Sequence, residues 1–234
     1  MRSLAGISGA AVAVLLMVTG CASGAPGHRR AAAPVSRITS AAPVVPLVAT
    51  TSDAPPTAIR PSAPVSITLH YLRDAKHVAV TIDVGVVDAH RNADGSYPPI
   101  VPDESSDAAL LRAAWWREAP SVAPAVPSLD GSTYVYGHAC PNWACAFDDL
   151  HLLHAGDVVT VTTATGVFDY VVQTAPLAVP KSGPHTLSTS SIYDPHPGVL
   201  WLITCGYTRN PSNGQLNSTY NWIVGAGLRS ARVR

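Results

Sequence analysis

The chain has no excess charge of either sign: Lys plus Arg and Asp plus Glu number 15 each among 234 residues. With no basic surplus to neutralise phosphates, nucleic acid and anionic polymers are excluded as partners. Charged residues of any kind make up only 13 % of the chain, against 47 % hydrophobic ones, so a core can be buried. The uncharged stretch Ser3–Val18 near the start is too short to cross a bilayer comfortably. Metal-ligand spacing is also missing. His151, His154, His185 and His196 are scattered without a second ligand, so no zinc site and no cofactor are expected. Asp103, Glu104 and Asp107 read as an acidic helix start rather than a calcium site.

Aromatic residues are absent between Ala22 and Pro64, where Ala, Pro, Ser and Thr dominate around scattered arginines. Such a segment cannot repay the entropy of ordering, and residues 21–64 are expected to form a disordered tether. Ahead of it, Met1 and Arg2 precede the uncharged stretch, which closes on Val18-Thr19-Gly20-Cys21. That ending resembles the lipobox of bacterial lipoproteins. The resemblance implies a signal peptide over residues 1–20, a lipidated Cys21, and a protein anchored on the extracytoplasmic face of the membrane.

From Val65 to Leu228 the composition becomes that of a globular domain, and all five tryptophans, both phenylalanines and all eight tyrosines fall there. Residues 229–234 read as a short basic tail. Helical pattern is scarce, limited to about Asp107 to Trp116 and a turn near Asp148 to Leu153, with Trp115 and Trp116 expected to pack on the domain. Period-two runs of β-branched and aromatic residues predict strands at 77–82, 132–136, 157–162, 167–172 and 220–224, with a hairpin through Thr163-Ala164-Thr165-Gly166, and the apolar run 199–204 reads as another strand. Short strands between turn formers favour an all-β barrel or sandwich.

Cysteine is rare, with four in the chain. Export would place them in an oxidising compartment. Cys140 and Cys145 sit close together in a turn-rich loop and could close a small ring, which leaves Cys205 as the odd thiol. Pairing of Cys205 with either of the others stays open at this level. His138 follows one predicted strand and Cys205 ends another, so a barrel mouth could bring imidazole to thiolate.

The surrounding residues carry a more specific signal. Leu202-Ile203-Thr204-Cys205-Gly206 resembles the Leu-x-Thr-Cys signature of the sortase family, and Tyr134-Val135-Tyr136-Gly137-His138 resembles the strand and Gly-His that bear its histidine. Phe147 to Leu150, Gly156-Asp157-Val158-Val159, the segment Gly95 to Pro102, and Trp115-Trp116 follow the family's remaining landmarks in order. The likeness covers about Ala75 to Ala226 and is nearest to the single-domain sortases of high-GC Gram-positive bacteria.

It implies an all-β closed barrel of seven to eight strands with one or two short helices, over residues 65–228. It also implies a cysteine transpeptidase in which Cys205 is the nucleophile and His138 the general acid. Such an enzyme cleaves an LPxTG-like sorting signal of an exported protein through a thioester, then passes the protein to an amine of a peptidoglycan precursor or a pilin. Thr204, beside the nucleophile, is a candidate substrate contact, and a monomer is expected. The family's arginine is missing before the last strand, where Ser218-Thr219-Tyr220 stand, so Arg209 is the candidate stabiliser of the oxyanion or substrate. That absence also raises a second reading, a catalytically silent module that binds sorting signals or wall proteins. Specificity would lie in the loop around Lys181 to His196. A lipid-anchored transpeptidase of the L,D type would carry a Ser-His-Gly-Cys cluster, and this chain has none.

Overall fold

A computed structural model describes residues 59–87, 102–117, 126–128, 130–142, 144–183, 185–187 and 190–234. Cys21, the signal segment, the tether as far as residue 58 and the landmark Gly95 lie outside the described residues. The ordered elements are β1 (Pro64–Arg73), β2 (Lys76–Val87), α1 (Asp107–Leu110), β3 (Ala113–Trp116), β4 (Ser132–Gly137), β5 (Val158–Thr163), β6 (Gly166–Val172), β7 (Leu177–Pro180), β8 (Val199–Arg209) and β9 (Leu216–Val233). Two 3-10 turns, Leu150–Leu152 and Ser191–Tyr193, are also described.

Strands pair in the order β6-β5-β1-β2-β3-β4-β8-β9, and β6 pairs with β9 to close the ring. The expected closed barrel is therefore present with eight strands, and β7 is added outside the ring on β9. Alternation decides which side chains enter it. Along β6, Phe168, Tyr170 and Val172 are buried while Val167, Asp169 and Val171 are half-buried, and β5 alternates likewise through Val159 and Val161. These join Ile67, Leu69, Val135, Leu200, Leu202 and Val224 in the interior. Each such burial contributes roughly 1.5–3 kcal/mol.

β4 is buried on both faces and β8 nearly so, because a second apolar cluster covers the outer wall. Trp116, Tyr134, Tyr136, Val179, Ile192, Ile203 and Ile223 form it, drawing on β3, β4, β7, β8 and β9. The connection from β7 to β8 lies across this wall and is strapped to β4. Tyr134 donates to the Ile192 carbonyl at 2.7 Å, the Tyr136 and Tyr193 hydroxyls meet at 3.1 Å, and the His196 amide donates to the Ser132 hydroxyl at 3.0 Å. Burial first, then the crowding of neighbouring phenols, pushes Tyr136 well up.

Three expectations from sequence are corrected. The helix anticipated over 107–116 stops at Leu110, because Ala113–Trp116 pair parallel with β2 and antiparallel with β4. The tether gives way to ordered chain before Pro64: Ile59 is buried, and Ser62 exchanges backbone hydrogen bonds with Val126. Residues 229–233 are not a tail but the last part of β9, paired with β6 as far as Gly166 opposite Val233.

Candidate active site

β4 and β8 run parallel, with Tyr136 opposite Ile203. His138 and Cys205, each two residues further on, therefore follow the paired stretch at the same end of the barrel. Period two places both on the outer face, the face of Tyr134, Tyr136, Trp201 and Ile203. The site thus continues the second apolar cluster and does not open into the barrel interior.

Several contacts fix the backbone around the histidine. Thr204, buried on the inner face, donates its hydroxyl to the Gly137 carbonyl at 2.7 Å, and Tyr207 donates to the Ala139 carbonyl at 2.7 Å. Phe147 donates its amide to the His138 carbonyl at 2.8 Å. Its ring lies 2.6 Å from where a Cβ on Gly137 would stand, so only glycine admits this packing. Gly206 is constrained in the same way by the Tyr220 ring, 2.0 Å from a Cβ at that position. Thr204 is therefore a clamp between β8 and the Gly-His turn in this structure.

Cys140 and Cys145 are joined in a disulfide, and Cys205 is free and half-buried. Of the pairings left open by sequence the local ring is the one present, and the Cys205 thiol is unbridged. Asp148 accepts from the amides of both bridged cysteines at 2.7 Å, which ties the ring down next to the histidine. Cys140, Cys145 and Asp148 are also the one metal-like cluster among the described residues, but the bridged sulfurs are not thiolates and cannot serve as such ligands.

His138 Nε2 lies 3.1 Å from the Pro102 carbonyl, on the segment leading to α1. Neighbouring Asp103 is held below the usual carboxylate range by hydrogen bonds from Ser105, with the charges of Arg112 and His138 adding to them. Burial raises the Tyr207 phenol, and the nearby Cys205 and Asp148 push it the same way.

Arg209 and Lys181 have separate engagements. Arg209 sits at the far end of β8, where Nη1 donates to the Gly214 carbonyl at 2.9 Å across the hairpin turn. There it lines a cavity of about 460 Å³ with Pro141, Asn142 and Gln215, so the structure does not bring its guanidinium to Cys205. Lys181 follows β7, and its amide donates to the Thr219 carbonyl at 2.9 Å. Its Nζ donates to Cys205 Sγ at 3.1 Å and to Ser218 Oγ at 2.6 Å. Sequence reasoning places Lys181 only at the start of the specificity loop. No local pattern links it to the cysteine, and the pairing of β7 with β9 and of β9 with β8 makes the contact.

A free thiol in contact with an ammonium, and an imidazole just past the end of the neighbouring parallel strand, are parts that acyl transfer can use. The family model described as Sortase domain matches residues 86–229. No curated protein matches the chain. Among solved structures, sortase E from Streptomyces avermitilis is similar at 19 % identity over 73 % of this chain and 91 % of that one, with a TM-score of 0.41. Sortase A from Listeria monocytogenes is similar at 16 % identity, over 74 % and 91 %, with a TM-score of 0.43. Sortase E1 from Streptomyces coelicolor, solved with a tripeptide in its active site, is similar at 19 % identity, over 74 % and 94 %, with a TM-score of 0.41.

Proposed function

The chain belongs to the sortase family of cysteine transpeptidases, its family model covering more than half of it, and on that premise we propose that it cleaves an LPxTG-like sorting signal through Cys205. The thiolate attacks the carbonyl carbon of the threonine of the signal, and a C–S bond forms. On collapse the C–N bond breaks, and His138 delivers a proton to the departing amine. A free amine of a peptidoglycan precursor or a pilin then attacks the thioester, losing its proton to the imidazole as the thiolate leaves.

The observation that carries this reading is the free thiol of Cys205 two residues past Ile203 on β8, as His138 stands two residues past its partner Tyr136 at the end of the adjacent parallel β4, in a chain of this family. The contact of His138 with the Pro102 carbonyl is compatible with it, because catalytic hydrogen bonds commonly form only with substrate bound. Substrates are exported proteins with a C-terminal sorting signal. The enzyme acts as a monomer on the extracytoplasmic face of the membrane, held by lipid on Cys21.

The full-length protein, incubated with a fluorogenic sorting peptide and an amine acceptor, should release the leaving peptide and carry the acyl group on Cys205 by mass spectrometry. Binding of the peptide without a thioester or cleavage would instead establish the silent module, a reading favoured by Ser218-Thr219-Tyr220 standing where relatives carry arginine. For the anchor, a Cys21→Ser variant should leave the detergent-phase fraction that the natural chain occupies.

A further inference from the structure

We propose that Lys181 is a catalytic residue of this site, supplying the positive charge that meets the oxyanion when Cys205 attacks its substrate. The inference rests on the thioester chemistry proposed above. An ammonium carries three N–H donors. Two are committed, to Cys205 Sγ at 3.1 Å and Ser218 Oγ at 2.6 Å, and the third is left for a substrate.

Backbone pairing sets where this side chain starts, and two contacts hold its end. Pro180 is opposite Tyr220, and the next amide, that of Lys181, bonds the Thr219 carbonyl. The stem of the lysine then crosses β9 to reach β8, where Cys205 is opposite Asn221. Ser218 holds the amine from below, so the charge is oriented before any substrate arrives, the condition under which such donors are most effective.

Lys181 also has no ion-pair partner among the described residues, whereas Arg73 is paired with Asp149 and Arg232 with Asp169. An ammonium already matched by a carboxylate would have little charge to offer a developing oxyanion.

The step balances without a proton leaving the lysine. The Cys205 thiolate forms the C–S bond while the carbonyl π pair moves onto oxygen. Because that oxygen is bonded to the carbon under attack, it arrives beside the ammonium that already touches the sulfur. Lys181 holds the anion by hydrogen bond, and collapse restores the carbonyl as the amine departs with the proton from His138.

The test compares the full-length protein with Lys181→Met, which keeps the stem and removes the charge, and with Lys181→Arg, which keeps the charge. Single-turnover thioester formation on a sorting peptide should slow by about 10²–10³-fold in K181M, with K181R recovering most of the loss. Iodoacetamide alkylation of Cys205, which needs no sorting peptide, should be slower in K181M than in the natural chain and K181R, because the ammonium that touches the sulfur is gone. Urea midpoints of all three should coincide, since Lys181 is exposed. Equal thioester rates in K181M and the natural chain, or K181R as slow as K181M, would overturn the role of Lys181. Absence of cleavage by the natural chain would instead overturn the proposed function, and equal alkylation rates would then count against Lys181 separately.

Discussion

Two cations reach to neighbouring strands at opposite ends of β9, and what they meet there differs. Towards its C-terminal end, Arg232 on β9 donates to Asp169 on β6 at 2.6 Å, across the seam that closes the barrel. Towards the other end, Lys181 reaches from beyond β7 to a thiol and a hydroxyl, with no carboxylate among the described residues to match it. A matched cation is spent on the fold. An unmatched one keeps its charge for a group that becomes anionic only during reaction, and this places stability at the seam and chemistry at the mouth.

The sharpest break of that contrast is Cys205→Ala. It should abolish the acyl-enzyme seen by mass spectrometry while leaving the urea midpoint within about 0.5 kcal/mol of the natural chain. His138→Ala should slow peptide cleavage by roughly 10²–10⁴-fold, again with the seam unaffected, as read by single-turnover rates beside a denaturation curve.

The disulfide tests whether the mouth is purely chemical. Replacing Cys140 and Cys145 together by serine should cost about 2 kcal/mol by loop-closure entropy, measured by urea denaturation. Cleavage should also fall, because the loop that receives the His138 carbonyl is loosened. Unchanged stability would show that the Asp148 hydrogen bonds hold the loop without the bridge.

Asp169→Asn is the mirror experiment at the seam, with an expected cost of about 1 kcal/mol and an unchanged cleavage rate. Its pH dependence has a defined sign. Burial raises the Asp169 carboxyl, but hydrogen bonds from Arg232, Thr160 and Ser230, with the Arg232 charge, outweigh it and leave the group lowered. A lowered carboxyl contributes stability that is fully present above its unfolded value of about 3.9 and is lost as pH falls through the folded one. The midpoint difference between the natural chain and D169N should therefore vanish in acid, and a difference persisting there would show that packing, not charge, closes the seam.

Where strands announce themselves, they do so by period two between turn formers, as in β4, β5 and β6, and the Leu-x-Thr-Cys and Gly-His landmarks sit on two such runs. The strands that sequence misses lack one of those cues. β1 turns into β2 through Asp74-Ala75, both at positive φ (51° and 61°), a hairpin without the customary glycine. β3 follows the helix-forming run Ala108-Ala109-Leu110-Leu111, and only its pairing with β2 and β4 overrides that preference. β7 is short and ends in Pro180, which is tolerated on an edge strand. Lys181 lies just past that hidden strand, so the position of its ammonium was not legible. Arg209 was attractive for its nearness to Cys205 in sequence, but nearness along an extended strand is distance in space, at about 3.4 Å per residue.

β9 is a single strand of 18 residues that hydrogen-bonds β6 at the seam, β7 beneath Lys181 and β8 alongside Cys205. Seam and mouth consequently share one backbone ladder. On warming, the enzyme has no means of losing its working groove first and its barrel later. Inactivation and global melting should trace the same curve, and amides along β9 should exchange their hydrogens as one block.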